Sequence, residues 1–277
     1  MNGVRMRRLR VYYARVENMG DRLNALIMDR VFGREIERHT PLTCELSGIG
    51  SGLGQFTYSE KPWLAAIECG TGKIWPETWI WGTGFIQHGM DKPFYRKKMH
   101  FSAVRGELSK KCVETILKKR IACPMGDGGI LSDQLLARRP RPVYTCGIAA
   151  HYKEQGHPAF TEMAAQIQGS ILIDVKADPL EVIRQIAQCE CIVSSSLHAL
   201  VIADSFGIPN IHLAVTNAML GDGFKYDDYY SSFGVKHRCW RYFSGMRPDL
   251  DELYGNYEIT RTMTDRQKQE MIRAFPF

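Results

Sequence analysis

The sequence predicts an α/β protein made of two Rossmann-like domains that face a cleft. Short apolar runs alternate with segments of helical period for most of the 277 residues. The alternation breaks once, at "RRPRP" (138–142), where two prolines among arginines can continue neither a helix nor a central strand. It then restarts with the same rhythm. Strand and helix in regular turn imply βαβ units and parallel sheets covered on both faces. The expected organisation is an N-terminal domain over 1–138 and a C-terminal domain over 139–277, with the last helix a candidate to pack back on the first domain. A chain of this length has apolar material for two cores.

In order, "LRVYYARV" (9–16) reads as a strand and "LNALIMDRVFG" (23–33) as a helix ended by Gly33. "WLAAIECG" (63–70) and "TWIWGTGF" (78–85) read as strands running into glycine, and "CVETILKKRI" (112–121) as a helix. After the break, "VYTCGIAA" is a strand, "FTEMAAQI" (160–167) a helix and "SILIDV" a strand. "DPLEVIRQIAQC" is a helix capped by Asp178 with Pro179 in its first turn. "CECIVS" is a strand, the helix from Leu197 to Phe206 stops at Gly207 and Pro209, and "IPNIHLAV" is the next strand.

Hydrophobic residues make up 44% and charged residues 24%, which excludes a disordered chain, and no apolar run is long enough to cross a bilayer. The basic start "MNGVRMRRLRVYYARV" has no apolar signal region, so a cytoplasmic protein is expected. A net charge of +6, with no Lys/Arg run interleaved with aromatics, argues against nucleic acid. It suits an anionic small molecule, or a weak attraction to an anionic membrane surface through Arg5, Arg7, Arg8 and Arg10. The alternative for those arginines is a solvated edge. Eight cysteines, Cys69, Cys112, Cys123 and Cys146 among them, show no CxxC pair and read as small buried hydrophobes of a reducing compartment. The eight histidines show no metal-ligand spacing, and no metal is expected.

"CIVSSSLHALVIADSFGIP" (191–209) crowds Ser194, Ser195, Ser196 and His198 into a strand end and the first helical turn. Ligands of parallel sheets bind beyond the carboxyl ends of the strands. First-turn amides have no intrahelical acceptor and the helix dipole adds positive potential, so this is a candidate anion site. A single serine acting only as a helix cap is the plainer alternative. Leu197, Leu200, Val201 and Ile208 are expected to pack on the sheet.

That segment resembles the signature of the polysaccharide pyruvyl transferase family, and further blocks agree in order. They are "ENMGDRLN" (17–24), "SGIGS" (47–51), "IWGTGF" (80–85), "VRGELS" (104–109), "PMGDGGIL" (124–131), "AAHYKE" (149–154) and "FKYDDYYSSFG" (224–234). The likeness spans roughly residues 11–234. Ser196 stands where some members carry arginine, Ala199 where glycine is frequent, Ala150 where proline is frequent, and "GDGG" where Gly-Asp-Pro is typical.

The resemblance implies a GT-B-like fold and transfer of the enolpyruvyl unit of phosphoenolpyruvate onto two hydroxyls of a sugar, giving a pyruvate ketal and phosphate. It implies phosphoenolpyruvate as donor substrate with no further cofactor, and a saccharide acceptor, lipid-linked, made for a cell-surface polymer or glycan. Such a reaction needs a pocket for phosphate and carboxylate, and groups that move protons. For the anion the candidates are Ser194, Ser195, Ser196, Arg105 and Lys225. For proton transfer they are His198, His151 and Asp21, with Asn18 and Gly20 beside the acceptor. Asp21 has the alternative of capping its helix.

Two other functions compete. A GT-B glycosyltransferase would grip the ribose of a nucleotide sugar with an acidic residue after the phosphate loop, and only Asp204 is available there. A non-catalytic saccharide-binding protein would stack sugars on aromatics such as Trp75, Trp79 and Trp81, which read equally as core.

Overall fold

The computed structural model describes residues 7–14, 19–216 and 223–277. The first half contains β1 (Leu9–Tyr12), α1 (Met19–Arg30), β2 (Ile36–Arg38), β3 (Leu46–Ser47), α2 (Pro62–Thr71), β4 (Thr78–Trp81), β5 (Met99–Ala103) and α3 (Glu107–Leu117). Its strands form one sheet in the order β2-β1-β3-β4-β5, every pair parallel. A parallel bridge from Val104 to Met125 continues that edge, and a 3-10 segment, Gly128–Leu135, follows.

The second half contains β6 (Tyr144–Ala149), α4 (Pro158–Gln166), β7 (Ser170–Ile173), α5 (Pro179–Ala187), β8 (Cys189–Ser194), α6 (Leu197–Ser205), β9 (Asn210–Ala214), α7 (Phe224–Ser231), β10 (Cys239–Arg241), α8 (Leu250–Gly255) and α9 (Arg261–Arg273). Its sheet has the order β10-β9-β8-β6-β7, again all parallel. Counted from its own first strand, each sheet runs 2-1-3-4-5. Chain direction across such a sheet reverses between strands 1 and 3, which opens a crevice at their carboxyl ends. In this chain those crevices follow β1 and β3, and β6 and β8.

Local signals account for most elements. Asp178 accepts hydrogen bonds from the Leu180 and Glu181 amides, and Pro179 opens α5. Gly33 (φ +64°) and Gly207 (φ +66°) end α1 and α6 in the left-handed conformation that side chains resist. "WLAAIECG", expected as a strand, is the body of α2. Pro62 suits a first helical turn and removes a donor that a sheet would need. Trp63 is 64% exposed and Ile67 47%, so this helix covers the molecule without entering its core. Cys69 is exposed there, against the expectation of a buried thiol.

α6 departs from the one-faced helix expected of it. Every residue from Ala199 to Ser205 is buried, because α6 packs on its own sheet and also on the 3-10 segment and α1. An all-round apolar helix is the form such double packing requires. One continuous apolar core joins Leu23 and Ile27 of α1, Trp81, Ile130, Val182 of α5 and Val201 of α6. The two sheets therefore share a core. α9 adds to the junction: the Trp81 indole donates to the Met271 carbonyl (2.9 Å). Lys268 Nζ reaches both Asp133 Oδ2 and the Ser205 carbonyl at 2.7 Å. Beyond it, Phe275 stacks on Phe32 of the first half (3.8 Å between centroids).

Candidate active site

A cavity of about 260 Å³ lies where the two sheet crevices meet. The first half lines it with Tyr12 and Tyr13 after β1, Gly20 and Asp21 at the start of α1, and Gly50 and Ser51 after β3. The second half supplies His151, Ser196, Leu197, His198 and Lys225.

The halves touch closely at this point. A Cβ on Gly20 would lie 2.0 Å from His198 Nδ1, so only glycine lets the first turn of α1 carry the imidazole. Asn24, one turn on, ties α1 to the loop after β3. Its Oδ1 accepts from the Ile49 amide (2.9 Å) and its Nδ2 donates to the Ile49 carbonyl (3.2 Å). Asp21 is nearly buried (8% exposed).

His198 is mostly buried, with 17% of its side chain exposed, and faces a wholly buried carboxyl: its Nε2 lies 3.9 Å from Asp127 Oδ2. That is too long for a hydrogen bond, and neither atom has another partner. The other oxygen of Asp127 accepts from the Gly129 amide (2.8 Å). Burial dominates both groups. It pushes Asp127 up to about 6, against the pull of the Gly129 amide and of Arg105. It pushes His198 down to about 3, aided by the charges of Lys225 and Arg105. A neutral imidazole facing an acid of raised pKa is a pair poised to exchange a proton, and the carboxylate would stabilise an imidazolium formed next to it.

His151 sits at the other second-half strand end. Its amide donates to Ser195 Oγ (2.8 Å), and its ring lies against Tyr152 (4.4 Å). Burial, then Lys225 and Lys153, depress it to about 3. Lys225 contributes positive charge to the wall. Its ammonium has no carboxylate within 4 Å among the described residues and lies 5.0 Å from the Tyr226 ring centroid. Burial and the Arg105 charge lower it to about 8, so it stays largely protonated at neutral pH. An unpaired ammonium, two imidazoles and the free first-turn amides of α6 make this wall suited to an anion.

Several expected site residues are placed elsewhere. Ser194 is wholly buried, its hydroxyl donating to the Ala149 carbonyl (2.6 Å) and accepting from the Ser196 amide (2.9 Å). Ser195 Oγ is taken by the His151 amide. Both hydroxyls brace the strand end, and only Ser196 reaches the cavity wall. Arg105, expected to grip an anion, has no exposed surface and is not in the wall. Its Nε donates to Asp228 Oδ2 (2.9 Å), its Nη1 to Ser51 Oγ (2.7 Å) and its Nη2 to the Phe85 carbonyl. Asp228 also binds the amide and hydroxyl of Ser109. Arg105 thus fixes the loop after β3 and the helix carrying Lys225. Asn18 and Arg5 lie outside the described residues. Arg7 and Arg10 pair with Glu45 and Arg8 with Glu35, so those arginines are compensated on the protein's own surface.

Asp127 lies in "GDGG", and sequence spacing does not single it out as a site residue. Nothing in its local sequence reveals that it is buried against His198, 71 residues away in the chain. Asp204 is buried among Asn210, Tyr229 and Tyr257, away from the cavity. Trp75, Trp79 and Trp81 also lie outside the cavity wall. No helix among the described residues is long and apolar enough to cross a membrane.

Residues 50–217 match the family model described as polysaccharide pyruvyl transferase, which is more than half of the chain. The mimivirus protein named "Uncharacterized protein L143" (Acanthamoeba polyphaga mimivirus) is 26% identical over 271 residues, covering 94% of this chain and 88% of that one. The succinoglycan biosynthesis protein ExoV of Rhizobium meliloti (strain 1021) is 25% identical over 226 residues, 80% of this chain and 63% of that one. A solved structure of a functionally uncharacterised Klebsiella pneumoniae protein, KP1_0663, matches at a TM-score of 0.46 with 11% identity, covering 86% of this chain and 93% of that chain.

Proposed function

The chain belongs to the polysaccharide pyruvyl transferase family, and from that premise we propose that it moves the enolpyruvyl unit of phosphoenolpyruvate onto two hydroxyls of a saccharide. The product is a cyclic pyruvate ketal, and inorganic phosphate is released. The acceptor we propose is a lipid-linked saccharide on its way to a surface polysaccharide. The observation that carries this reading is the convergence of His198, backed by buried Asp127, with His151 and Lys225 on one cavity fed by both sheets.

In this scheme Lys225, the first-turn amides of α6 and Ser196 hold the donor's phosphate and carboxylate. One proton adds to the methylene carbon and the first sugar hydroxyl attacks the adjacent carbon. The carbon–oxygen bond to phosphate then breaks and the second hydroxyl closes the ketal. Of the two protons lost by the hydroxyls, one balances the new methyl group and the other leaves with phosphate. The donor's negative charge and the Asp127 carboxylate favour the imidazolium of His198, the group proposed to protonate carbon, and Asp21 on the opposite wall is the proposed base for a hydroxyl. His151 is proposed to serve the departing phosphate. Two sheets around a shared cavity are in keeping with a GT-B-like frame. The nucleotide-sugar reading loses support because Asp204 is turned into the core, and the sugar-stacking reading because the tryptophans lie outside the wall.

The test incubates the protein with phosphoenolpyruvate and a panel of galactosides, glucosides and mannosides. Phosphate release and a ketal methyl resonance are followed together. Both should appear with at least one acceptor and vanish in His198→Ala. Thermal stabilisation by a nucleotide sugar, without either signal on any acceptor, would overturn the proposal.

A further inference from the structure

A second cavity, about 390 Å³, lies on the other side of Tyr226 from the first, lined by His212, His237, Cys239 and Glu154 among others. Sequence spacing hides this group, and sheet register creates it. β10 pairs with β9 so that Cys239 is the Cα partner of His212, and partners in a parallel pair project to the same face. His237, in the segment that leads into β10, lies beside them, its ring stacked on that of His212 (5.1 Å between centroids). One donor atom from each of the three residues falls within a mutual 4.8 Å.

We propose that His212, His237 and Cys239 bind one divalent ion of the Zn²⁺ class, in the cavity that Glu154 also lines. The donor set is two imidazoles and a thiol, the mixed nitrogen and sulfur composition that Zn²⁺ prefers, and three protein ligands leave a fourth position open to the cavity. His212 Nδ1 and His237 Nε2 are 3.0 Å apart and share a hydrogen bond, which the ion would replace. With metal–nitrogen bonds of about 2.0–2.1 Å and a metal–sulfur bond of about 2.3 Å, a tetrahedral site has ligand separations of about 3.3–3.6 Å. Cys239 is exposed, and its sulfur lies within 4.8 Å of a ring nitrogen of each histidine. The far nitrogen of His237 is held by Asp227 Oδ1 at 2.9 Å, the carboxylate backing that orients metal-binding histidines.

Glu154, on the same cavity wall, has a buried carboxylate oxygen that a nearby cation would compensate. It is 7% exposed, and one oxygen accepts from Thr216 Oγ1 (2.7 Å). The other, Oε2, is buried with no hydrogen-bond partner among the described residues. A buried carboxylate oxygen left unsatisfied is costly unless a positive charge faces it. Lys225 acts on it only through its charge, with no ion pair within 4 Å among the described residues. The ion would also steady the reaction cavity. The His212 ring stacks on Tyr226 (3.7 Å between centroids), and the Tyr226 hydroxyl donates to the Ser195 carbonyl (2.7 Å).

The full chain, stripped with a chelator and dialysed, is titrated with Co²⁺. The expected result is uptake of one equivalent, a near-ultraviolet thiolate-to-cobalt band, tetrahedral d–d absorption, and displacement of all three by Zn²⁺. Cys239→Ser, at an exposed position, should remove the thiolate band with circular dichroism unchanged. Asp227→Asn should weaken binding by about 10–100-fold. Absence of stoichiometric uptake, a wild-type complex without the thiolate band, or a band that survives in Cys239→Ser would each overturn the proposal.

Discussion

His198 and Asp127 approach each other without bonding, each shifted by burial toward its neutral form. Replacing His198 with Ala should lower the turnover of phosphoenolpyruvate by roughly 10²–10⁴-fold, the usual worth of a positioned proton-transfer group. Initial rates of phosphate release measure it. Asp127→Asn tests the pair in a second way. The native carboxyl keeps its proton until about pH 6, whereas the unfolded one loses it near 3.8. Stability therefore falls as pH climbs from about 3.8 to 6, and the deficit then stays constant. Asparagine has no such penalty and can still accept from the Gly129 amide. The variant should match wild type below pH 3.8 and exceed it above pH 6, by at most about 3 kcal/mol, while losing activity. Urea midpoints at pH 3.5 and pH 7 give the comparison, and a variant no more stable at neutral pH would contradict the pairing described.

Among the elements, α1 and α7 depend most on single contacts. Gly20→Ala drives a methyl group into the His198 ring, so the first turn of α1 must move away or the imidazole must rotate. Phosphate release should fall at least tenfold while far-ultraviolet circular dichroism is retained. α7 is held by Asp228, buried between Arg105 and Ser109. Asp228→Ala leaves a buried guanidinium uncompensated and should cost about 3–5 kcal/mol in urea unfolding. These contacts also mark how far the sequence could be read. Strands after the proline break were legible because "CECIVS" and "IPNIHLAV" are short, apolar and punctuated by turn residues. α2 was misread because an eight-residue apolar run suits strand or helix equally, and the Pro62 before it decides. β2, β3 and β10 have two or three residues each, too few to show a period. At the site, Gly20, His198 and Lys225 were legible as residues. Asp127 and the inward turn of Arg105 were not, because both follow from the packing of one half on the other.

At the scale of the whole molecule, the two sheets share an apolar wall made by α1, the 3-10 segment, α5 and α6. Neither half can lose that wall without exposing the other's. Calorimetry should accordingly show one transition, with van't Hoff and calorimetric enthalpies in agreement. Two resolved peaks would contradict a common core. The same wall bears on the arginine- and proline-rich stretch that connects the sheets. Arg139 ties this stretch to the Ala187, Cys189 and Phe206 carbonyls of the second half, but its peptide bonds carry little of the cohesion between the two pieces, which runs through Leu23, Ile130 and Val201. A protease nick there would yield two polypeptides that still co-elute as one particle, with the cavity between them intact.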